Sequence, residues 1–152
     1  MSILLANLVW PSLFLVGRVL AVVPILAGLI IELFYLRYAT SLRGLRCVWA
    51  DVSMNFVSAL LGILLIPLSG LGWELIASVT IYPLFNMGSF NPVTWIACVI
   101  LGALGNAVVE GLVLKRGFGL SIGRRGFWLL AAVNLVTVAI AYLSIVIDPP
   151  KF

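Results

Sequence analysis

The chain has 152 residues, of which 64% are hydrophobic and 9% charged, and its formal net charge at pH 7 is +4. Soluble domains are about half apolar and about a quarter charged. A water-soluble fold of this length cannot bury so much apolar surface, so the composition points to an integral membrane protein. The basic residues occur in short clusters between apolar runs, which is typical of cytoplasmic loops rather than of nucleic-acid binding.

The sequence contains no histidine. This excludes His-ligated metal or haem, and any Ser-His-Asp or Cys-His catalytic site, within the chain. Cys47 and Cys98 form no redox motif, and we expect the two thiols to lie at different membrane depths without a disulfide. Because no nucleotide or metal motif is found, we expect no cofactor, no metal and no catalytic residue. The sequence favours a protein that is not an enzyme.

Four apolar stretches are long enough to cross ~30 Å of hydrocarbon as helices that rise ~1.5 Å per residue. In chain order they cover residues 13–36, 48–69, 92–114 and 127–147. We expect these stretches to be helical because lipid offers no hydrogen-bond partners to unpaired backbone N–H and C=O groups. The predicted fold is an all-α integral membrane protein with four transmembrane helices in a single transmembrane domain, residues 1–152.

The basic residues predict the orientation of these helices. Loop 37–46 contains three arginines, loop 115–125 contains four basic residues, and the connection 71–90 has Glu74 but no Lys or Arg. Since cytoplasmic loops are enriched in Lys and Arg, the first two loops are predicted to be cytoplasmic and both termini outside. We expect a multi-pass protein of a prokaryotic cytoplasmic membrane.

Two polar residues recur at a nearly constant spacing. Glu110 follows Glu32 by 78 residues, and Asn134 follows Asn55 by 79. This predicts two tandem two-helix repeats in parallel orientation, about residues 12–70 and 91–148, joined by the outer connection 71–90. Such repeats are related by a pseudo-twofold axis along the membrane normal. The alternative is convergence, because a helix that ends with an acid before a basic loop is not rare.

Glu32 and Glu110 are the main candidates for an intramembrane polar site. Each is predicted about one and a half turns inside the cytoplasmic end of its helix, where an ionised carboxylate costs on the order of 2–3 kcal/mol. Such a side chain should face the bundle, pair with a cation or be protonated. The two glutamates form either a proton or cation site, or structural contacts with a nearby basic residue or Asn.

Other polar side chains follow the faces of the predicted helices. Asn55 and Ser58 share one face of the second helix with Asp51, and Asn134 and Thr137 share a face of the fourth. Asn106 lies one turn before Glu110 on the third helix. Packing between helices explains these stripes, or they converge on the polar site. Asp51 itself is expected in the first turn of the second helix, where the helix dipole favours an acid.

Three arginines are candidates for contact with an anion or a lipid headgroup. Arg18 lies inside the first helix, where it can extend outward, pair with Glu74 or Asp148, or bind an anionic group. Arg124 and Arg125 lie in the glycine-containing loop before the fourth helix, and would suit anionic headgroups or an acidic partner.

Three functions from different classes fit the sequence. The first is a small non-catalytic accessory or scaffold subunit of a larger membrane complex. The second is a small transporter or channel for a cation, proton-coupled solute or anion, which would use the paired Glu and Asn residues and oligomerise to form a pathway. The third is a lipid-handling enzyme. The expected partners are the lipid bilayer and either other membrane subunits or further copies of this chain, and no nucleic acid.

Overall fold

A computed structural model describes residues 10–148, without the side chain of Trp10. This part of the chain is helical and has no strand. It forms α1 (Trp10–Val19), α2 (Val22–Ala39), α3 (Gly44–Ala77), α4 (Ile81–Phe85), α5 (Pro92–Phe118) and α6 (Arg124–Ile147). The helices α2, α3, α5 and α6 are long and apolar enough to cross a membrane. The predicted fold class, all-α with four transmembrane helices, is confirmed.

The first apolar stretch is not one helix, and the prediction of a continuous helix over residues 13–36 is wrong. The chain breaks between α1 and α2, where Ala21 is extended with φ −74° and ψ 155°. Pro24 follows the break by three residues. It has no N–H to donate to the carbonyl of Leu20, and its ring disfavours a helical residue four positions earlier. The membrane-spanning helix of this stretch is therefore α2.

The second spanning helix is longer than its apolar window. α3 contains 34 residues and continues through Pro67 to Ala77. At ~1.5 Å per residue it measures roughly 50 Å, well beyond the ~30 Å hydrocarbon layer. Its last turns therefore extend into the predicted connection 71–90, and only the single turn of α4 remains helical before α5.

The ends of α5 follow ordinary capping chemistry. The Asn91 side chain accepts a hydrogen bond from the backbone N–H of Thr94 at 2.9 Å, and Pro92 occupies the first helical position. At the other end Gly119 adopts φ +68°, and the Leu120 N–H bonds the Leu114 carbonyl at 3.0 Å. A left-handed glycine is the common way to end a helix.

α2 and α5 each pack against both α3 and α6, and the most deeply buried of the spanning helices is α5. Half of its membrane window is buried, against 28% for α2 and 22% for α3. α5 packs most extensively against α3 and α6, and α1 lies against α3 and α6. The crossing of α1 and α3 is close, because a Cβ at Gly70 would lie 2.6 Å from the Cβ of Ser12. Glycine at this position permits the contact.

Within residues 10–148 the apolar core has two clusters. The first cluster includes Met54 and Leu114, and the second includes Leu15 and Ile66. Cys47 belongs to the first and Cys98 to the second, and both are free thiols. Buried polar side chains of the four spanning helices form a polar layer that contains the candidate site, namely Glu32, Asp51, Ser58, Glu110, Asn134 and Thr137.

Candidate functional site

The first carboxyl group of the polar layer is held by an amide from the next helix. Asn55 Nδ2 on α3 donates to Glu32 Oε2 on α2 at 2.8 Å, and also to the backbone carbonyl of Asp51 at 3.1 Å. Glu32 is 1% exposed. Gly28 lies one turn before Glu32, and a Cβ there would be 3.3 Å from Asn55 Oδ1. The missing side chain lets α3 bring its amide against α2.

The second carboxyl group has the same arrangement. Asn134 Nδ2 on α6 donates to Glu110 Oε2 on α5 at 2.5 Å, and to the backbone carbonyl of Leu130 at 3.2 Å. The Ser58 hydroxyl on α3 donates to the backbone carbonyl of Asn55 at 3.3 Å. Both Glu110 and Asn134 are 1% exposed. Each glutamate is therefore paired with an asparagine that also bonds the carbonyl four residues before it.

The two pairs are neighbours rather than separate features. Gly28 on α2 lies against both of them, because it faces Asn55 of the first pair and α6, which carries Asn134 of the second. A Cβ at Gly28 would lie 3.3 Å from Thr137 Cγ2, one turn along α6 from Asn134. All four spanning helices thus contribute to one polar layer.

Asp51 belongs to the same region, and the expectation that it lies in the first turn of its helix is wrong. α3 begins at Gly44 and has no acid in its first turn. Asp51 is 3% exposed, and its Oδ1 lies 3.4 Å from Asn55 Nδ2. Its i, i+4 spacing to Asn55 was the sequence signal that placed it on this face. Within residues 10–148, no group of three acids, cysteines or histidines could hold a metal ion.

A cavity of about 280 Å³ lies beside the polar layer. The structure brings all seven residues of the predicted polar site to its wall, which are Glu32, Asn55, Ser58, Asn106, Glu110, Asn134 and Thr137. The remaining wall is apolar and comes mainly from α1, the start of α2 and one face of α3. The break between α1 and α2 also borders the cavity, through Leu20 and Pro24.

The three candidate arginines do not reach this cavity. Arg18 forms an ion pair with Asp148 at 3.4 Å, and it also donates to the backbone carbonyl of that residue. This is one of the alternatives that the sequence leaves open for Arg18. Arg124 and Arg125 are exposed at the start of α6. In the part of the chain that the structure describes, no Lys or Arg forms a salt bridge with Glu32 or Glu110.

A second buried polar cluster joins the end of α3 to α4 and α5, and sequence reasoning missed it. Tyr82 Oη donates to Glu74 Oε1 at 2.8 Å and contacts Thr94 Oγ1. Trp73 Nε1 donates to Thr94 Oγ1 at 3.3 Å. Glu74 is 2% exposed. Burial raises the pKa of the Tyr82 phenol above its ordinary value, so this hydroxyl remains a donor at neutral pH. The cluster fixes the connection between α3 and α5.

Comparisons with models of protein families, with characterised proteins and with solved structures found no match to this chain.

Proposed function

We propose that this protein is a small multi-pass membrane transporter that binds a monovalent cation at Glu32 and Glu110. In this proposal the cation and protons compete for the same two carboxyl groups. The observation that carries it is the position of both glutamates, 1% exposed, on the wall of an intramembrane cavity, where no Lys or Arg among residues 10–148 forms a salt bridge with either.

A carboxylate buried in a membrane carries a large free-energy cost. An ionised acid inside a membrane helix is expensive unless a counter-charge accompanies it. Hydrogen bonds from Asn55 and Asn134 reduce this cost but supply no positive charge. Either a proton or a cation in the cavity must therefore neutralise each acid.

This requirement gives a simple exchange step. When the cation binds between the carboxyl groups, a proton leaves, and when a proton returns, the cation is released. The charge of the site then stays constant, and no state contains an uncompensated buried carboxylate. The asparagines hold the carboxyl oxygens in place in both states, because their amides can bond to an acid or to its anion.

The proposal includes the internal repeat and the parallel orientation of the two units. The matching hydrogen bonds Asn55–Glu32 and Asn134–Glu110 support it, since they occupy the positions that the repeat equates. The site is not symmetric, because Leu130 occupies the position that corresponds to Asp51. We also propose that both termini lie outside and that the basic loops 37–46 and 115–125 face the cytoplasm, on the positive-inside argument.

The test is cation-driven proton movement in liposomes. The purified full chain is reconstituted with a pH-sensitive dye inside, and gradients of Na⁺, K⁺ or choline are applied in turn. We expect at least one gradient to drive protons in the opposite direction, and we expect Glu32→Gln and Glu110→Gln to abolish the exchange. Signals equal to those of protein-free liposomes for every cation, organic cations included, would contradict the proposal.

The chain offers a matched control for these variants. Glutamine retains an acceptor oxygen for the asparagine amide, so each change removes the charge with little change of shape. Glu74→Gln makes the same replacement at another buried glutamate, which lies outside the cavity. The exchange should persist in Glu74→Gln, and its loss there would show that the effect is a general one of acid removal.

An accessory subunit of a larger membrane complex is the second candidate. It is favoured by the outward faces of α2 and α3, whose membrane windows are only 28% and 22% buried. Extraction of the tagged protein into nanodiscs, followed by mass spectrometry, separates the two candidates. A stoichiometric set of other chains would support the subunit, whereas a lone chain or a homo-oligomer with cation exchange would support the transporter.

A further inference from the structure

We infer that the cation is an amphiphilic organic one, with a single positive head and an apolar body, that reaches the cavity from the bilayer. This inference rests on the proposed function and identifies the chemical class of its substrate. It depends on the size of the cavity, on the distribution of polar groups over its wall, and on the position of its mouth.

The size of the cavity does not suit a bare inorganic ion. Its volume is about 280 Å³, whereas one water molecule occupies about 30 Å³ in the liquid. An Na⁺ or K⁺ ion would leave most of this volume to be filled by several waters against an apolar wall. The volume is close to the lower limit of about 300 Å³ for sites that bind organic ligands, which are lined mainly by apolar side chains with a few placed polar groups.

The wall is divided into a polar part and an apolar part. Glu32, Glu110 and the asparagines beside them lie together where α2, α3, α5 and α6 meet. The α1 side contributes Val16 and Leu20, and the start of α2 contributes Ile25. A ligand that satisfies both parts has a cationic head at the carboxyl groups and a hydrocarbon body against α1 and α2.

The mouth of the cavity opens on the lateral surface of the helices. Val52, Phe56 and Ile63 line the cavity on one face of α3, yet they are 42%, 67% and 46% exposed. Side chains that border both a cavity and the molecular surface form its rim. Because this rim lies within a membrane-spanning helix, it borders lipid. Amphiphilic cations partition into bilayers, and so they can approach from this side.

The direct test uses benzyltrimethylammonium, a quaternary cation with an aromatic body. The full chain in nanodiscs is incubated with the radiolabelled cation, and binding is measured by scintillation proximity against empty discs. We expect saturable binding. Glu32→Gln and Glu110→Gln should each weaken it by about thirtyfold or more, because each removes one partner of a desolvated charge pair. Glu74→Gln should bind as the unaltered protein does.

Two unlabelled competitors distinguish the chemical classes. Neopentylbenzene has nearly the same shape but a neutral carbon in place of the nitrogen, so it should not displace the label at equal concentration. Sodium chloride should displace it only weakly. Displacement by neopentylbenzene as effective as by the unlabelled cation would overturn the inference, since the cavity would then be a general apolar pocket.

Failure of the inference and failure of the proposed function give different results. If Na⁺ or K⁺ drives proton exchange but benzyltrimethylammonium neither binds nor drives it, the substrate class is wrong and the transporter remains. If no cation binds or drives exchange, both are wrong. The unfolding temperatures of the glutamine variants in nanodiscs separate loss of binding from loss of fold. They should equal that of the unaltered protein.

Discussion

Asn134 Nδ2 donates a hydrogen bond to Glu110 Oε2 at 2.5 Å, between two side chains that are each 1% exposed. The same relationship joins Asn55 to Glu32 at 2.8 Å on the other helix pair. Two acids near the ends of apolar stretches are thus held by amides of neighbouring helices in one polar layer. This arrangement both stabilises the bundle and leaves carboxyl oxygens at a cavity.

The bond between Asn134 and Glu110 should be measurable as a coupling energy. Asn134→Leu removes the donor and leaves a buried carboxyl group short of a partner. We expect the free energy of unfolding to fall by about 1–2 kcal/mol. This lies between the stability that an interhelical hydrogen bond contributes in a membrane and the cost of leaving a buried acceptor unpaired. In a Glu110→Leu background the same change should cost much less. Additive losses would mean that the two residues are not coupled.

The contact of α1 with α3 depends on Gly70. A methyl group there would overlap Ser12, so Gly70→Ala must displace α1 and should cost about 1–3 kcal/mol of stability. Gly72→Ala is the matched control, because nothing lies within 4 Å of its new Cβ, and it should be neutral or slightly stabilising. Ser12→Gly should partly restore Gly70→Ala. Equal unfolding temperatures for both alanine variants would contradict the close packing.

The phenol hydroxyl of Tyr82 should contribute far more to the free energy of unfolding than an exposed phenol hydroxyl does. Tyr82→Phe removes the donor to Glu74 and the contact with Thr94, at a cost of about 1–3 kcal/mol for a buried acid left short of a hydrogen bond. Tyr38→Phe makes the same change at a side chain that is 76% exposed, and should have almost no effect. Chemical denaturation in micelles compares them, and a neutral Tyr82→Phe would remove the cluster's structural role.

Filling the cavity should discriminate between cations by size. Gly62 lies on its wall, with only ordinary contacts around an added Cβ. Gly62→Leu should therefore place its side chain in the cavity and weaken benzyltrimethylammonium binding by about tenfold or more, with less effect on tetramethylammonium. Gly105→Leu adds the same side chain where nothing lies within 4 Å, and should not affect either cation. Equal losses for both cations would contradict the position of the apolar body.

The orientation can be tested by labelling single cysteines in intact bacterial cells with a membrane-impermeant maleimide. Gly88→Cys, in the connection without basic residues, should react from outside. Ser41→Cys and Ser121→Cys should react only after the cells are permeabilised. The parent chain controls for background because Cys47 and Cys98 are 0% and 2% exposed. The reverse pattern would invert the proposed topology.

Hydropathy and length were enough to predict four spanning helices, because lipid permits few alternatives for unbroken apolar stretches. The break at Ala21 was not predicted, since hydropathy does not change there and Pro24 was the only local signal. The depth of Asp51 was misjudged because α3 begins at Gly44, four residues before its apolar window, with Arg46 still inside the helix.

Part of the candidate site could be predicted from the sequence. Acids and asparagines are rare in an apolar chain, so the repeated spacing of Glu32 and Glu110 was conspicuous. Their hydrogen bonds, the cavity and its apolar wall depend on how α1 and α2 pack after the break, and no local pattern contains that information. The cluster around Glu74 and Tyr82 was missed because it requires the register of α4 against α5.

The most direct measurement of the central claim is infrared difference spectroscopy of the reconstituted protein during addition of benzyltrimethylammonium. If the cation replaces a proton at Glu32 and Glu110, the carbonyl band of protonated carboxyl groups should decrease while carboxylate bands grow. Both changes should be absent from the Glu32→Gln/Glu110→Gln double variant and intact in Glu74→Gln. No change in the carboxyl bands at saturating cation, or the same changes in the double variant, would contradict cation and proton exchange at these residues.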